Sequence, residues 1–187
     1  MTHVLGIDVS KAKLDVALRR PDGKLRSKVV QNSPSGFVAL TAWLDTHGVH
    51  RLHACMEATG INWEAVAAYL ADAGHTVSVV NPAQIKAFGG AGLVRTKTDR
   101  VDAKLIAAFC VAQCPPPWQA PPPAVRALRA LVARRDALDA MRTQERNRLG
   151  VADQNVRPGI EAHLAYLEQA LADIEAAIRQ QIDDDPG

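Results

Sequence analysis

Four carboxylates stand where their chemistry matters most. Asp8 lies in Gly6-Ile7-Asp8-Val9-Ser10-Lys11, among apolar neighbours where a charge is costly unless it is paired or bound to a metal. Glu57 closes a second apolar run, Cys55-Met56-Glu57-Ala58-Thr59-Gly60. Asp99 and Asp102 are three residues apart, a spacing that on a helix puts both on one face with Cβ atoms about 5–6 Å apart. Converging carboxylates suit hard divalent cations, which take oxygen ligands. Two such ions about 3.5–4 Å apart can activate a nucleophile and stabilise the leaving oxygen of a phosphodiester. Each acid also has an ordinary reading: a capped strand acid, a helix-start residue, or first-turn acids interleaved with Arg100 and Lys104. Two acids at strand ends and two on one helix face favour the joint reading.

The elements that must position these acids follow from hydrophobic period and turn residues. Residues 3–9, 14–19 and 25–30 read as an antiparallel meander, with Pro21-Asp22-Gly23 as its second turn. Ser33-Pro34-Ser35-Gly36 opens a helix carrying Phe37, Leu40, Trp43 and Leu44 and ending near Gly48. A strand over 52–57, a helix over 62–73 and a strand over 77–80 then predict parallel pairing with right-handed crossovers. From residue 82 a short helix is expected to run into Gly89-Gly90-Ala91-Gly92 and a mobile loop through 98. Thr98 is the expected N-cap of a helix bearing Val101, Leu105, Ile106 and Phe109. If the first and fourth strands are neighbours, Asp8 and Glu57 point at one spot and this helix closes it.

Length and composition bound the rest. The chain has 187 residues, 32 of them Ala and 8 aromatic, which favours closely packed helices and predicts one domain plus an appendage. Six prolines between 115 and 123 predict a stiff linker, dividing an α/β domain over 1–114 from a helical region over 124–187. In that region, residues 125–149 read as an Arg-rich amphipathic helix. Ile160, Leu164, Leu167, Leu171, Ile174 and Ile178 form a heptad seam, and Arg157-Pro158-Gly159 is the expected break between the two helices. Such a seam predicts an α-hairpin and suits pairing with a second copy of the chain. Cys55, Cys110 and Cys114 are too few for a disulfide framework and read as buried thiols, and the six histidines show no metal-ligand spacing. The start of the chain lacks a signal-peptide pattern and no run is long enough to span a membrane, so an intracellular, cytoplasmic protein near the nucleoid is expected.

Charge is unevenly distributed: +2 over residues 1–94, +6 over 95–150 and −6 over 151–187. The basic middle supplies candidate phosphate contacts at Arg126, Arg129, Arg134, Arg135, Arg142, Arg146 and Arg148, with Lys97, Arg100 and Lys104 beside the proposed acids. The competing reading is a surface helix salt-bridged through Asp136, Asp139 and Glu145. Lys11 and Lys13 could position a phosphate near Asp8, or simply be a solvated strand end. Aromatic residues are too sparse here to imply base stacking.

Taken in order, Gly6-Ile7-Asp8-Val9-Ser10-Lys11, Met56-Glu57-Ala58-Thr59-Gly60, Val80-Asn81-Pro82 and Lys97-Thr98-Asp99-Arg100-Val101-Asp102-Ala103 resemble the motifs of the IS one-ten family of insertion-sequence transposases. Arg134-Arg135-Asp136 and residues 142–149 resemble that family's basic helix. The resemblance implies an α/β, RNase H-like (RuvC-type) fold with a mixed five-stranded sheet, followed by a helical coiled-coil hairpin. It implies a DEDD tetrad at Asp8, Glu57, Asp99 and Asp102 binding Mg²⁺, with Mn²⁺ as a substitute. It further implies DNA recombination guided by a structured bridge RNA, with dimers or larger oligomers formed through the helical region. Family members also carry a C-terminal domain with a DNA-attacking serine. The chain ends before any such domain, which makes it an expected N-terminal fragment not competent for recombination unaided, and Ser10, Ser27, Ser33, Ser35 and Ser78 all lie outside that context. The alternatives are a RuvC-like structure-selective nuclease, a non-catalytic coiled-coil module, and an actin-like ATP-binding half, for which Val9-Ser10-Lys11 lacks the glycine-rich phosphate turn.

Overall fold

The computed structural model describes residues 3–91 and 102–184. It forms two compact units, Met1–Ala120 and Pro121–Gly187. Among the described residues no helix is long and apolar enough to cross a membrane.

The first unit is built on a five-stranded sheet. Strands β1 (His3–Val9), β2 (Lys13–Arg19) and β3 (Leu25–Gln31) form the antiparallel meander, β4 (Leu52–Glu57) joins β1 in parallel, and β5 (Thr76–Val80) joins β4 in parallel. The resulting order, β3-β2-β1-β4-β5, is the mixed RNase H-like sheet that the resemblance implies. Helix α1 (Pro34–Asp45) makes the crossover to β4, and α2 (Glu64–Asp72) the one to β5. Alternation divides the side chains between two cores. Leu5, Ile7, Leu14, Val16, Leu18, Ala54 and Met56 pack with α1 and α2, whereas Val4, Cys55 and Val80 pack with Ile85, Ile106, Ala107 and Cys110 on the other face.

The second face is covered by α3 (Pro82–Ala91) and α4 (Ala103–Gln113). Two expectations are corrected here. Helix α3 continues through Gly89 and Gly90 instead of giving way to a loop. Gly89 faces Leu105, where an added Cβ would come within 3.0 Å of that side chain, so glycine serves close packing here. Helix α4 starts at Ala103 with Asp102 as its N-cap, rather than at Thr98. The Asp102 side chain satisfies the otherwise orphaned Leu105 N–H, and that bond fixes the first turn. The rest of the expected loop, and Thr98 with it, lies outside the described residues.

Residues 115–118 of the proline segment are anchored to the first unit. The Trp118 N–H donates to the Val77 carbonyl at 2.7 Å, so the segment extends the hydrogen bonding of edge strand β5, and the Trp118 ring meets Trp63 edge-on at 5.5 Å. Ser78, fully buried, lies 2.9–3.0 Å from the Pro116 and Pro115 carbonyls and 2.7 Å from His53 Nε2. One hydroxyl carries one proton. Serine therefore donates it to the prolyl carbonyls, and His53 must be the donor at Nε2. Of the cysteines, Cys55 and Cys110 are buried thiols as expected, while Cys114, at the left-handed end of α4 with φ 45°, is exposed. Burial and the neighbouring Cys55 thiol push the Cys110 thiol well above its ordinary value, Cys55 being the larger cause.

In the second unit, α5 (Pro123–Val151) and α6 (Arg157–Asp183) form the expected hairpin. The break falls at residues 152–156, and Arg157-Pro158-Gly159 starts the second helix, where a proline lacking its N–H is harmless. Leu167 and Leu171 of the heptad seam pack on Leu138 of α5. The middle of the seam is thus filled within the chain, while Ile160 and Ile178 at its ends are half-buried.

Candidate active site

Strands β1 and β4 pair in parallel with Ile7 level with Met56. Continuing that register by one residue sets Asp8 beside Glu57. Both point to the face of Gly6 and Cys55, away from the main core held by Ile7 and Met56. Both are half-buried. Asp8 is also level with Asp15 on β2, Asp15 with Val29 on β3, and Glu57 with Val80 on β5. One row across the sheet therefore reads Val29, Asp15, Asp8, Glu57, Val80.

Helix α4 reaches this row because residue 6 is glycine. A Cβ at Gly6 would lie 2.0 Å from the Ala103 carbonyl oxygen and 2.5 Å from the Ala107 nitrogen, so any side chain there would push the helix off the sheet. The contact brings the N-terminal turn of α4 onto β1 two residues before Asp8.

Each acid has a definite local role. Glu57 Oε1 accepts a hydrogen bond from the Thr59 hydroxyl at 3.0 Å, and the backbone after it is held by Ala58 N–H donating to the Val80 carbonyl at 2.9 Å. Asp15 is paired with Lys13 Nζ at 2.9 Å, which offsets the repulsion expected of two aspartates facing each other across a β-ladder. Asp102, exposed, accepts the Leu105 N–H at 2.8 Å. Asp102 precedes α4 as its N-cap, and Asp99, its expected companion on one helix face, lies outside the described residues. Lys97 and Arg100 also lie outside them, and Lys104 is exposed on the first turn of α4.

Among the described residues no three His, Cys, Asp or Glu side chains stand close enough together to hold a metal ion. The sheet thus joins Asp8 to Glu57 without gathering Asp102 into the same shell. Two neighbouring carboxylates are hard oxygen donors that fit Mg²⁺, which is bound through one or two carboxylates and keeps several waters or takes substrate oxygens. Asp15 is the residue that sequence reasoning missed. Its signal was present: the Ser10–Lys13 turn, closed by Ser10 N–H to the Lys13 carbonyl at 3.0 Å, fixes a hairpin register that sets Asp15 opposite Asp8.

The arginines of α5 divide into two groups. Arg135 pairs with Asp136 at 2.6 Å, Arg142 with Asp139, Arg146 with Glu168 of α6 at 2.9 Å and Arg148 with the buried Glu145 at 2.6 Å. Arg129 and Arg134 are exposed and make no ion pair with a described residue. The salt-bridged reading therefore accounts for four of the seven arginines, although exposed pairs are weak enough to be exchanged for phosphate.

The strand order, the parallel β1–β4 ladder and the acid pair at its end define an RNase H-like α/β domain followed by a helical hairpin. The chain belongs to the IS110 family of DEDD transposases, whose profile, described as "Transposase", matches residues 5–152. It is 29% identical over 184 residues to the pilin gene-inverting proteins of Moraxella lacunata and Moraxella bovis. The match takes in 97% of this chain and 57% of those proteins, so the chain spans little more than half the length of these curated relatives. A Thermus thermophilus RuvC structure aligns with 60% of this chain and 96% of its own at 20% identity and a TM-score of 0.40. The fold assignment rests on strand order and register rather than on that likeness.

Proposed function

We propose that this chain is the metal-binding, nucleic-acid-binding part of a DNA recombinase, acting on DNA phosphodiesters during RNA-guided transposition. The observation that carries the reading is the pairing of Asp8 with Glu57 on one sheet face beneath the N-terminal turn of α4. Asp8 and Glu57 hold Mg²⁺, or Mn²⁺ in its place, and Asp99 and Asp102 complete the catalytic set when nucleic acid is bound. The bound cation supplies neutralisation of phosphate charge and activation of an oxygen nucleophile. Glu57 is oriented for this by the Thr59 hydroxyl, and Asp8 by its place in a fully paired strand.

Lys97, Arg100 and Lys104 lie next to that set in sequence and contact the phosphates of the reacting strand. Arg126, Arg129, Arg134, Arg135, Arg142, Arg146 and Arg148 serve DNA or a structured guide RNA, with Arg129 and Arg134 available without breaking an ion pair. Self-association through the helical region uses apolar side chains outside the filled seam, such as Met141, Tyr166 and Ile182, which are 42%, 62% and 51% exposed. The domain division is 1–114, 115–123 and 124–187, with strand exchange requiring a serine-bearing segment beyond these residues.

The test is Mn²⁺ binding followed by electron paramagnetic resonance of the free ion. The wild type should take up Mn²⁺, while Asp8→Asn and Glu57→Gln, both folded by circular dichroism, should each weaken uptake at least tenfold. Equal uptake by all three proteins would overturn the reading.

A further inference from the structure

The acid row continues onto a part of the sheet whose charge no function so far explains. Between residues 11 and 28, on the β1–β2 turn and the β2–β3 hairpin, stand seven Lys and Arg against two Asp, a net charge of +5. Over the rest of residues 1–94 only Arg51 and Lys86 are basic. The whole positive excess of the first 94 residues is therefore gathered at this side of the sheet: Lys13 and Arg19 share the acid-bearing face with Asp15, with Lys11 in the turn before them, whereas Arg26 and Lys28 are level with the core-facing Leu18 and Val16 and stand on the opposite face.

Three further observations bear on what this edge holds. Only two of the seven cations are neutralised locally, Lys13 by Asp15 at 2.9 Å and Lys24 by Asp22 at 3.7 Å. Lys11, Arg19, Arg26 and Lys28 make no ion pair with a described residue, and the buried Nε of Arg20 has no hydrogen-bond partner among them. Second, the sheet face here is open: Leu25 and Val29, which alternation puts on the acid-bearing face, are 40% and 57% exposed. Third, the open face leads directly to the acid pair, since Val29, Asp15 and Asp8 are level with one another on adjacent strands about 4.8 Å apart.

We propose that the β2–β3 hairpin is a second DNA-backbone surface, holding phosphates of the strand whose reacting phosphodiester lies at Asp8 and Glu57. The occupant is DNA rather than guide RNA because the surface continues the row of the acids themselves. Lys11, Lys13 and Arg19 contact the phosphates, while the exposed aliphatic side chains of Leu25 and Val29, on the same face as Lys13 and Arg19, can pack against sugars. This inference rests on the reading of the acid pair as the DNA-acting site, but phosphate binding at the hairpin needs no metal.

The experiment measures binding of a short DNA duplex to the full chain by fluorescence anisotropy in EDTA, as a function of salt, for wild type and for Lys11→Ala/Lys13→Ala/Arg19→Ala. Lys11 and Lys13 are exposed and Arg19 is half-buried, and thermal melting checks that the variant keeps the fold of the wild type. Each phosphate contact contributes about 0.9 to the slope of log K against log salt. Three lost contacts should lower that slope by about 2.7, so that between roughly 50 and 200 mM salt the wild type loses about fortyfold more affinity than the variant. An unchanged slope in the variant, with binding still abolished by Arg129→Ala/Arg134→Ala, overturns the hairpin surface and leaves the reading of the acid pair standing. A loss confined to a structured RNA probe overturns the assignment to DNA. Absence of salt-dependent duplex binding by the wild type overturns both.

Discussion

Gly6 sets the distance between the helix and the acids. Its missing side chain is the space occupied by the Ala103 carbonyl and the Ala107 amide, both backbone groups that cannot rotate away. Gly6→Ala should therefore destabilise the first unit by about 3 kcal/mol, the scale of overpacking in a close-packed core. Urea unfolding followed by tryptophan fluorescence measures this, and a change within about 0.5 kcal/mol would show that α4 tolerates displacement. At this scale the sequence was informative about identity and weaker about company. Asp8 and Glu57 were recognisable because a charge interrupts or ends an apolar run. Asp15, in the alternating Lys13-Leu14-Asp15-Val16, looked like any outward-facing strand residue, and only the hairpin register makes it the neighbour of Asp8.

Among the elements, α4 carries the sharpest test of what Asp102 does. Asp102→Ala should cost about 1 kcal/mol by losing the cap to Leu105, whereas Asp102→Asn keeps an oxygen for that N–H and should stay within about 0.5 kcal/mol of wild type. If Asp102 also completes the cation's shell, Asp102→Asn weakens Mn²⁺ binding without losing stability, and unchanged binding would leave it as a cap alone. The proline segment makes a second prediction. Ser78→Ala removes the group shared by His53 and two prolyl carbonyls and should cost about 2 kcal/mol, the scale of leaving buried polar groups unsatisfied. Six prolines were legible as a stretch that cannot be helical, but not as one docked on a strand edge. That docking depends on Ser78 and Val77, which lie about 40 positions away in sequence and carry no local mark of it. Likewise the start of α4 was misplaced by four residues, because Thr98 and Asp102 are both competent caps and only packing at Gly6 selects between them.

For the whole molecule, the order of strands and helices was legible because turn residues and apolar period agree along residues 3–80, and local agreement of this kind specifies a fold. The heptad seam was legible too, and together with the preceding helix it predicts the hairpin, but a repeat of this type does not itself say whether a second copy of the chain also pairs along it. The structure also predicts a pH response. Burial, then the nearby Arg51, holds the His75 imidazole below its ordinary value of 6.5, and its Nδ1 is buried without a partner among the described residues. The unfolded chain therefore takes up a proton first as pH falls, so this site's contribution to stability is complete above about pH 6.5 and declines below it. Unfolding midpoints should drop between about pH 7.5 and pH 5.5, and His75→Gln should flatten that drop; an equal drop in both proteins would remove His75 as its source.

Anomalous scattering from crystals soaked in Mn²⁺, comparing wild type with Asp8→Ala, shows whether the first and fourth strands together hold a divalent cation. An ion should bridge Asp8 and Glu57 in the wild type and be absent from the variant. An ordered structure at saturating Mn²⁺ with no ion between these two carboxylates, or with the same ion retained in Asp8→Ala, would contradict a cation site shared by the two strands.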